Sequence, residues 1–218
     1  MEINKTIWQT HNYDFDSLPE IYKENVSLWK SRNLDWEYVY HNAEQRKQFL
    51  IDNKFITNSS GEDRYNNLHG ITQCEIWRVA IIWKNGGSYA DLDSIPTAVS
   101  GSLNMAIIEA NDLKIDYSII CTNDPEHKKI GSNNSNFIAP KESSFLKSIL
   151  DKFLKTLNSE DPSLTDEQKL SRTKFIVNNL TFGAEVILRD DIAFTLNAVD
   201  HGDHLKPEEE IPVDRIIF

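Results

Sequence analysis

Asp91-Leu92-Asp93 is the spacing in this sequence that most directly suggests chemistry. On an extended segment, residues two apart point to the same side. Two carboxylates held that close repel, and one of them resists ionising unless a cation lies between them. Mg²⁺ or Mn²⁺ suits such a pair, because hard cations take carboxylate oxygens and keep further positions that phosphate oxygens can fill. The same spacing also arises in ordinary solvated turns, so the surroundings decide. Ile71 to Lys84 is a long, nearly all-apolar helical stretch that belongs in a core. Asn85-Gly86-Gly87 stops it, since glycine takes the left-handed cap conformation cheaply. Ser88 to Leu92 then re-enters a sheet, which delivers both aspartates to a strand's C-terminal end, where ligands bind in open α/β sheets.

Glu75 and Arg78 lie on the preceding helix, and at i and i+3 they share a face. A plain salt bridge accounts for that spacing equally well. In so apolar a helix, however, a charged pair is costly unless it is used, and the ground beyond the helix is where it would be used.

Around this centre, strands and helices alternate, which argues for an α/β fold. Ile3 to Thr10 reads as a first strand. A helix follows Pro19, with Ile21, Tyr22, Val26, Leu28 and Trp29 as its apolar face. Trp36 to Tyr40 reads as a second strand, and Ala43 to Asn53 as a helix with Phe49 and Leu50 inward. Asn58 to Asp63 reads as a polar loop. Strands are expected at Met105–Glu109 and Tyr117–Cys121, and a polar loop over Ser132–Asn136 that leads into Phe137–Pro140. An amphipathic helix is expected over Ser143–Leu157, and a surface loop over Asn158–Lys169. Helices are expected at Arg172–Asn179 and Ala184–Leu188, then short strands at Ala193–Asn197 and Arg215–Phe218.

The 218 residues suit a single domain spanning 1–218, and the apolar ending suggests one cut from a longer protein. Hydrophobic residues make up 39% and charged residues 26%, enough for a packed core. The net charge of −11 argues against nucleic acid and anionic membranes as partners. Cys74 and Cys121 sit in apolar stretches and read as small core residues. Two cysteines make no disulfide framework, which fits a reducing, cytoplasmic setting. The N-terminus is no signal peptide, and no run approaches the roughly 20 apolar residues of a membrane span.

Cys74-Glu75-Ile76-Trp77-Arg78, followed by Gly86-Gly87-Ser88-Tyr89-Ala90-Asp91-Leu92-Asp93, resembles the signature of DXD-containing glycosyltransferases. These include the initiating α-mannosyltransferase type and its bacterial capsule and viral relatives, with the glucosylating clostridial toxins as distant kin. Their pattern is Ser-Asp-x-x-Arg, then Gly-Gly-x-Tyr-x-Asp-x-Asp. Arg78, Gly86, Gly87, Tyr89, Asp91 and Asp93 match it, while Cys74 stands for Ser and Glu75 for Asp. Ile7-Trp8-Gln9-Thr10-His11 is similar to the family's opening Ile-His-Gln-Thr-Trp strand with the two aromatic positions exchanged. Asn136 to Lys141 resembles a later segment, and Phe182-Gly183-Ala184 a Thr-Gly-Pro turn.

The resemblance implies a GT-A fold, a Rossmann-like mixed sheet flanked by helices with one nucleotide-sugar site. It implies that Trp8 or His11 stacks the nucleobase, and that Glu75 and Arg78 hold donor-sugar hydroxyls. Tyr89, Asp91 and Leu92 would line the donor. Asp91 and Asp93 would hold Mn²⁺ or Mg²⁺ against the diphosphate. The family completes its metal site from the C-terminal region, where His201-Gly202-Asp203-His204 supplies the candidates, His201 first. It implies a UDP-sugar donor ahead of a GDP-sugar, a glycan or protein acceptor, and transfer with retention. Two other readings compete. A haloacid-dehalogenase phosphatase needs an apolar strand before its aspartates, and here Asn-Gly-Gly-Ser-Tyr stands there. A nucleotide-sugar or glycan binding module without turnover would keep the site but release no sugar.

Overall fold

In a computed structural model, the chain is described over residues 3–96, 103–104, 119–122, 136–178, 186–189 and 193–195. The strands are β1 (Thr6–Thr10), β2 (Glu37–His41), β3 (Gly87–Ala90), β4 (Ser94–Pro96), β5 (Ile119–Thr122), β6 (Asn136–Ala139), β7 (Val186–Arg189) and β8 (Ala193–Thr195). The helices are α1 (Glu20–Arg32), α2 (Ala43–Asp52), α3 (Ser59–Asn66), α4 (Gly70–Asn85), α5 (Ser144–Leu157) and α6 (Asp166–Asn178). A six-stranded sheet runs in the order β2-β1-β3-β6-β5-β7, and β4 pairs separately with β8. β2, β1 and β3 are mutually parallel, and β6 is antiparallel to both neighbours, so the sheet is mixed and the fold is α/β.

The pleat sorts side chains onto two faces. Trp8, Tyr89, Phe137 and Ala139 point into a large core with α2, α4 and α5. Ile7, Ala90 and Ile138 point the other way, against Trp29 of α1 and Trp36. A third cluster joins Tyr22 and Val26 of α1 to Leu18 and Leu92. α4 lies in the large core, and its apolar residues Ile76, Trp77, Val79, Ala80, Ile81 and Ile82 are fully buried. Among the described residues, no helix is long and apolar enough to cross a membrane.

Several sequence expectations are corrected. Asn58 opens α3 instead of a loop, its side chain accepting from the Gly61 N–H at 2.6 Å. Asn serves both turns and N-caps, and here Arg64 settles the matter by donating to the carbonyls of Leu157 and Ser159. α6 begins at Asp166, earlier than its apolar pattern suggested, because Thr165 and Gln168 form a reciprocal cap. Val186–Arg189 is a strand and not a helix, drawn into the sheet by parallel pairing with β5. On α1, Asn25 is buried, whereas Ile21 and Leu28 are only partly so. The expected strands at 105–109 and 215–218, and the 182–184 turn, lie outside the described residues, as do the side chain of Cys121 and all of His201 and His204.

Gly86 and Gly87 both have positive φ, at 73° and 108°. A Cβ on Gly87 would stand 2.4 Å from the Thr6 carbonyl oxygen on β1. Glycine is therefore required where α4 hands over to β3. Gly87→Ala is expected to lower stability by about 3 kcal/mol, from strain plus clash. Urea denaturation followed by circular dichroism checks this, and a loss under about 0.5 kcal/mol, the level of an ordinary surface change, contradicts it.

Candidate functional site

The three parallel strands end on one edge of the sheet. β1 runs out into His11, β2 into Asn42 and β3 into Asp91. The two aspartates do not sit on an extended segment as expected. The Ser94 N–H donates to the Asp91 carbonyl at 3.1 Å, closing a turn with Leu92 and Asp93 at its centre. Burial raises the pKa of the Tyr22 phenol well above its ordinary value, and the nearby charges of Asp93 and then Asp91 push it further. The Asp91 side chain is 23% exposed. Asp93 is only 6% exposed as a residue.

Arg78 links the helix to the turn. Its Nη1 stands 3.3 Å from Glu75 Oε1, and its Nη2 stands 3.0 Å from Asp91 Oδ1. The salt bridge that spacing alone could explain is thus present, and it extends to Asp91. Burial by itself would lower the pKa of Arg78, but Asp91 and then Glu75 outweigh it and raise it, so the guanidinium stays charged. It also lies over the Tyr89 ring, 4.5 Å from the centroid. The Tyr89 hydroxyl donates to Asp91 Oδ1. Burial holds this phenol protonated, with Arg78 pulling its pKa back and Asp91 pushing it up, so Tyr89 is a standing donor. Glu75, Arg78, Tyr89 and Asp91 therefore form one connected network.

His11 lies at the same edge. It is buried, with ring centroids 5.0 Å from Tyr13 and 5.6 Å from Tyr22. Trp8 is placed elsewhere. Its side chain points to the opposite face, into the core, and its indole N–H donates to the Gly86 carbonyl at 3.1 Å. The three-residue offset between them puts the two aromatics on opposite faces of the segment that begins as β1, so Trp8 faces the core and His11 faces the edge where Asp91 and Asp93 lie. The Leu92 side chain packs into the third cluster, away from the network, so only its backbone remains near the site. Cys74 is a buried free cysteine whose thiol pKa is raised by burial, an inert core residue.

Sequence reasoning missed several residues that build the site. Gln9 on β1 donates to the Asp91 carbonyl at 3.1 Å, and its own oxygen accepts from the Tyr38 hydroxyl at 3.0 Å. Asn136 on β6 donates to Ser94 Oγ at 3.0 Å. Arg46 is fully buried and donates to Thr10 Oγ1, the His11 carbonyl and Asn12 Oδ1, bracing the segment that carries His11. Asn25 and Tyr22 carried a readable signal, as polar groups set into the inner face of α1.

Asp91 and Asp93 are hard oxygen donors from one turn, and their chemistry fits a divalent cation that fills its other positions with phosphate and water. Among the described residues, no group of three or more His, Cys, Asp or Glu side chains could by itself hold a metal ion.

Residues 19–114 match a family described as glycosyltransferase sugar-binding region containing DXD motif. No curated protein matches the chain by sequence. Among solved structures, the chain is similar to the PaToxG glycosyltransferase at 12% identity, covering 80% of this chain and 69% of that one, with a TM-score of 0.47. It is similar to the UDP-bound glycosyltransferase domain from the YGT toxin at 10% identity, covering 84% and 69%, with a TM-score of 0.47. It is also similar to a glycosyltransferase involved in glycosylation of the major capsid of PBCV-1, at 14% identity, covering 85% and 80%, with a TM-score of 0.39.

The network makes a stability prediction of its own. Arg78→Met would leave Glu75 and Asp91 facing each other without their cation, and should cost about 3 kcal/mol. Arg78→Lys keeps the charge and loses the fork, so it should cost about 1 kcal/mol. Chemical denaturation of the two variants tests the order, and equal losses would rule out the charge as the cause.

Proposed function

We propose that this chain, whose residues 19–114 match the glycosyltransferase sugar-binding region containing DXD motif, is a single-domain, metal-dependent enzyme of GT-A type. It moves a hexosyl group from a UDP-sugar to a glycan or protein acceptor, with retention of configuration. The observation that carries this reading is the network just described. Helix α4, strand β3 and the turn after it bring Glu75, Arg78, Tyr89 and Asp91 into contact, with Asp93 in the same turn, at the C-terminal edge of three parallel strands.

Within this reading each residue has a distinct task. Asp91 and Asp93 hold Mn²⁺ or Mg²⁺, with Asp91 offering the oxygen that Tyr89 and Arg78 do not engage. When bound, the cation supplies Lewis-acid stabilisation of the leaving diphosphate. Arg78 orients Asp91 and, with Glu75, meets the hydroxyls of the donor sugar. Tyr89 keeps its proton and fixes the Asp91 carboxylate. His11, with Tyr22 behind it, forms the wall against which the nucleobase rests. An oxocarbenium-like transition state asks the protein for charge placement more than for a strong base. His201 is retained as a proposed further ligand on the resemblance alone. A reducing, cytoplasmic setting fits the chain's cysteine usage.

In 1 mM Mn²⁺ at roughly 100 times its Kd, a UDP-sugar should raise Tm by about 8 °C, and GDP- and dTDP-sugars should do less. Omitting the metal should abolish the shift. Wild type should slowly hydrolyse that donor, and Asp93→Ala should reduce the rate by about 10³-fold. A wild type that binds UDP but releases no sugar from any donor would replace the enzyme with a binding module.

A further inference from the structure

The turn that carries the two aspartates is held at successive peptide groups by side chains from other elements. The Asp91 carbonyl accepts from Gln9 Nε2 and from the Ser94 N–H. The Leu92 carbonyl accepts from Asn25 Nδ2 at 2.9 Å. The Ser94 carbonyl accepts from Trp29 Nε1, also at 2.9 Å. Farther along, the Pro96 carbonyl accepts from Arg32. Asn25, Trp29 and Arg32 follow the i, i+4, i+7 pattern of one helical face. Their acceptors Leu92, Ser94 and Pro96 alternate along the outgoing segment. α1 thus lies on the turn like a rail, its donors matched to every second carbonyl.

Asn25 and Trp29 flank Asp93 in this arrangement. One fixes the peptide group before it and the other the peptide group after Ser94. Asn25 is 3% exposed and Trp29 is fully buried. A buried asparagine is costly without a partner, and its amide is spent on the turn instead of on its own helix.

We propose that Asn25 and Trp29 are positioning residues for Asp93, setting the direction of its carboxylate and hence the affinity of the cation. The proposal rests on reading Asp93 as a cation ligand. Residues that orient a ligand from behind typically change metal affinity about 10-fold or more when lost. If they only held α1 on the sheet, their loss would lower stability and leave the affinity of the folded protein unchanged.

The test is an electron paramagnetic resonance titration of Mn²⁺ into the whole chain with saturating UDP, with circular dichroism confirming the folded state. Wild type, Asp93→Ala, Asn25→Leu, Trp29→Phe and Ser27→Ala are compared. Ser27 is exposed on the far side of α1, and its hydroxyl donates to the Lys23 carbonyl of its own helix. Asn25→Leu and Trp29→Phe should each raise the Mn²⁺ Kd about 10-fold, with Ser27→Ala unchanged. Trp29→Phe keeps a buried aromatic ring, so it decides the matter if Asn25→Leu fails to fold. Affinities within about twofold of wild type, well short of that effect, with Asp93→Ala still weakened, would overturn this proposal alone. If Asp93→Ala binds Mn²⁺ as wild type does, the cation reading fails and this proposal falls with it.

Discussion

Arg78 carries a full charge into a helix that is otherwise almost wholly apolar, and the candidate site is organised around neutralising it. Glu75 on the same helix and Asp91 on the turn supply the opposite charge, and the Tyr89 ring supplies a π face. Removing a guanidinium from water is expensive, and attraction offsets that cost only when partners are close and well aligned. The helix, the strand after it and the turn are therefore tied together by one requirement. Where α4 goes, Asp91 must follow, and the glycine pair between them makes the reversal short enough for this to happen.

The two aspartates have different surroundings as a result. Asp91 is partly open and already held by a cation and a phenol, so its orientation is settled before any ligand arrives. Asp93 is more deeply buried, close to Tyr22, in a turn whose peptide groups are pinned from α1 and β1. Rigid support behind a small constellation of charges is what binding a charged donor asks for, since preorganised groups need no rearrangement at the moment of use.

Much of this was legible in the residues. The apolar length of α4 and its glycine stop located the helix and the reversal. The i, i+3 spacing of Glu75 and Arg78 put them on one face, and strand–helix alternation pointed to an α/β fold. The Thr165–Gln168 capping pair was readable too, though the apolar pattern alone placed the start of α6 too late. Other features had no local signature. Val186–Arg189 is apolar enough for either helix or strand, and its pairing with β5 decides. Asn58 reads equally well as turn or cap, and Arg64 decides by reaching residues nearly a hundred positions away.

By itself, the sequence determined the chemistry on offer: two carboxylates, a cation on a buried helix, and two glycines between them, because residue type and short-range spacing carry that information. Tertiary structure alone decided the geometry. It bent Asp91–Ser94 into a turn where alternation had suggested an extended strand. It sent Trp8 into the core and left His11 beside Tyr22, because the pleat puts residues an odd number apart on opposite faces of the sheet. It recruited Asn25, Trp29, Gln9 and Asn136 to hold that turn; a local pattern marks Asn25 as a polar group on an inner face, but no local pattern names the carbonyl it meets.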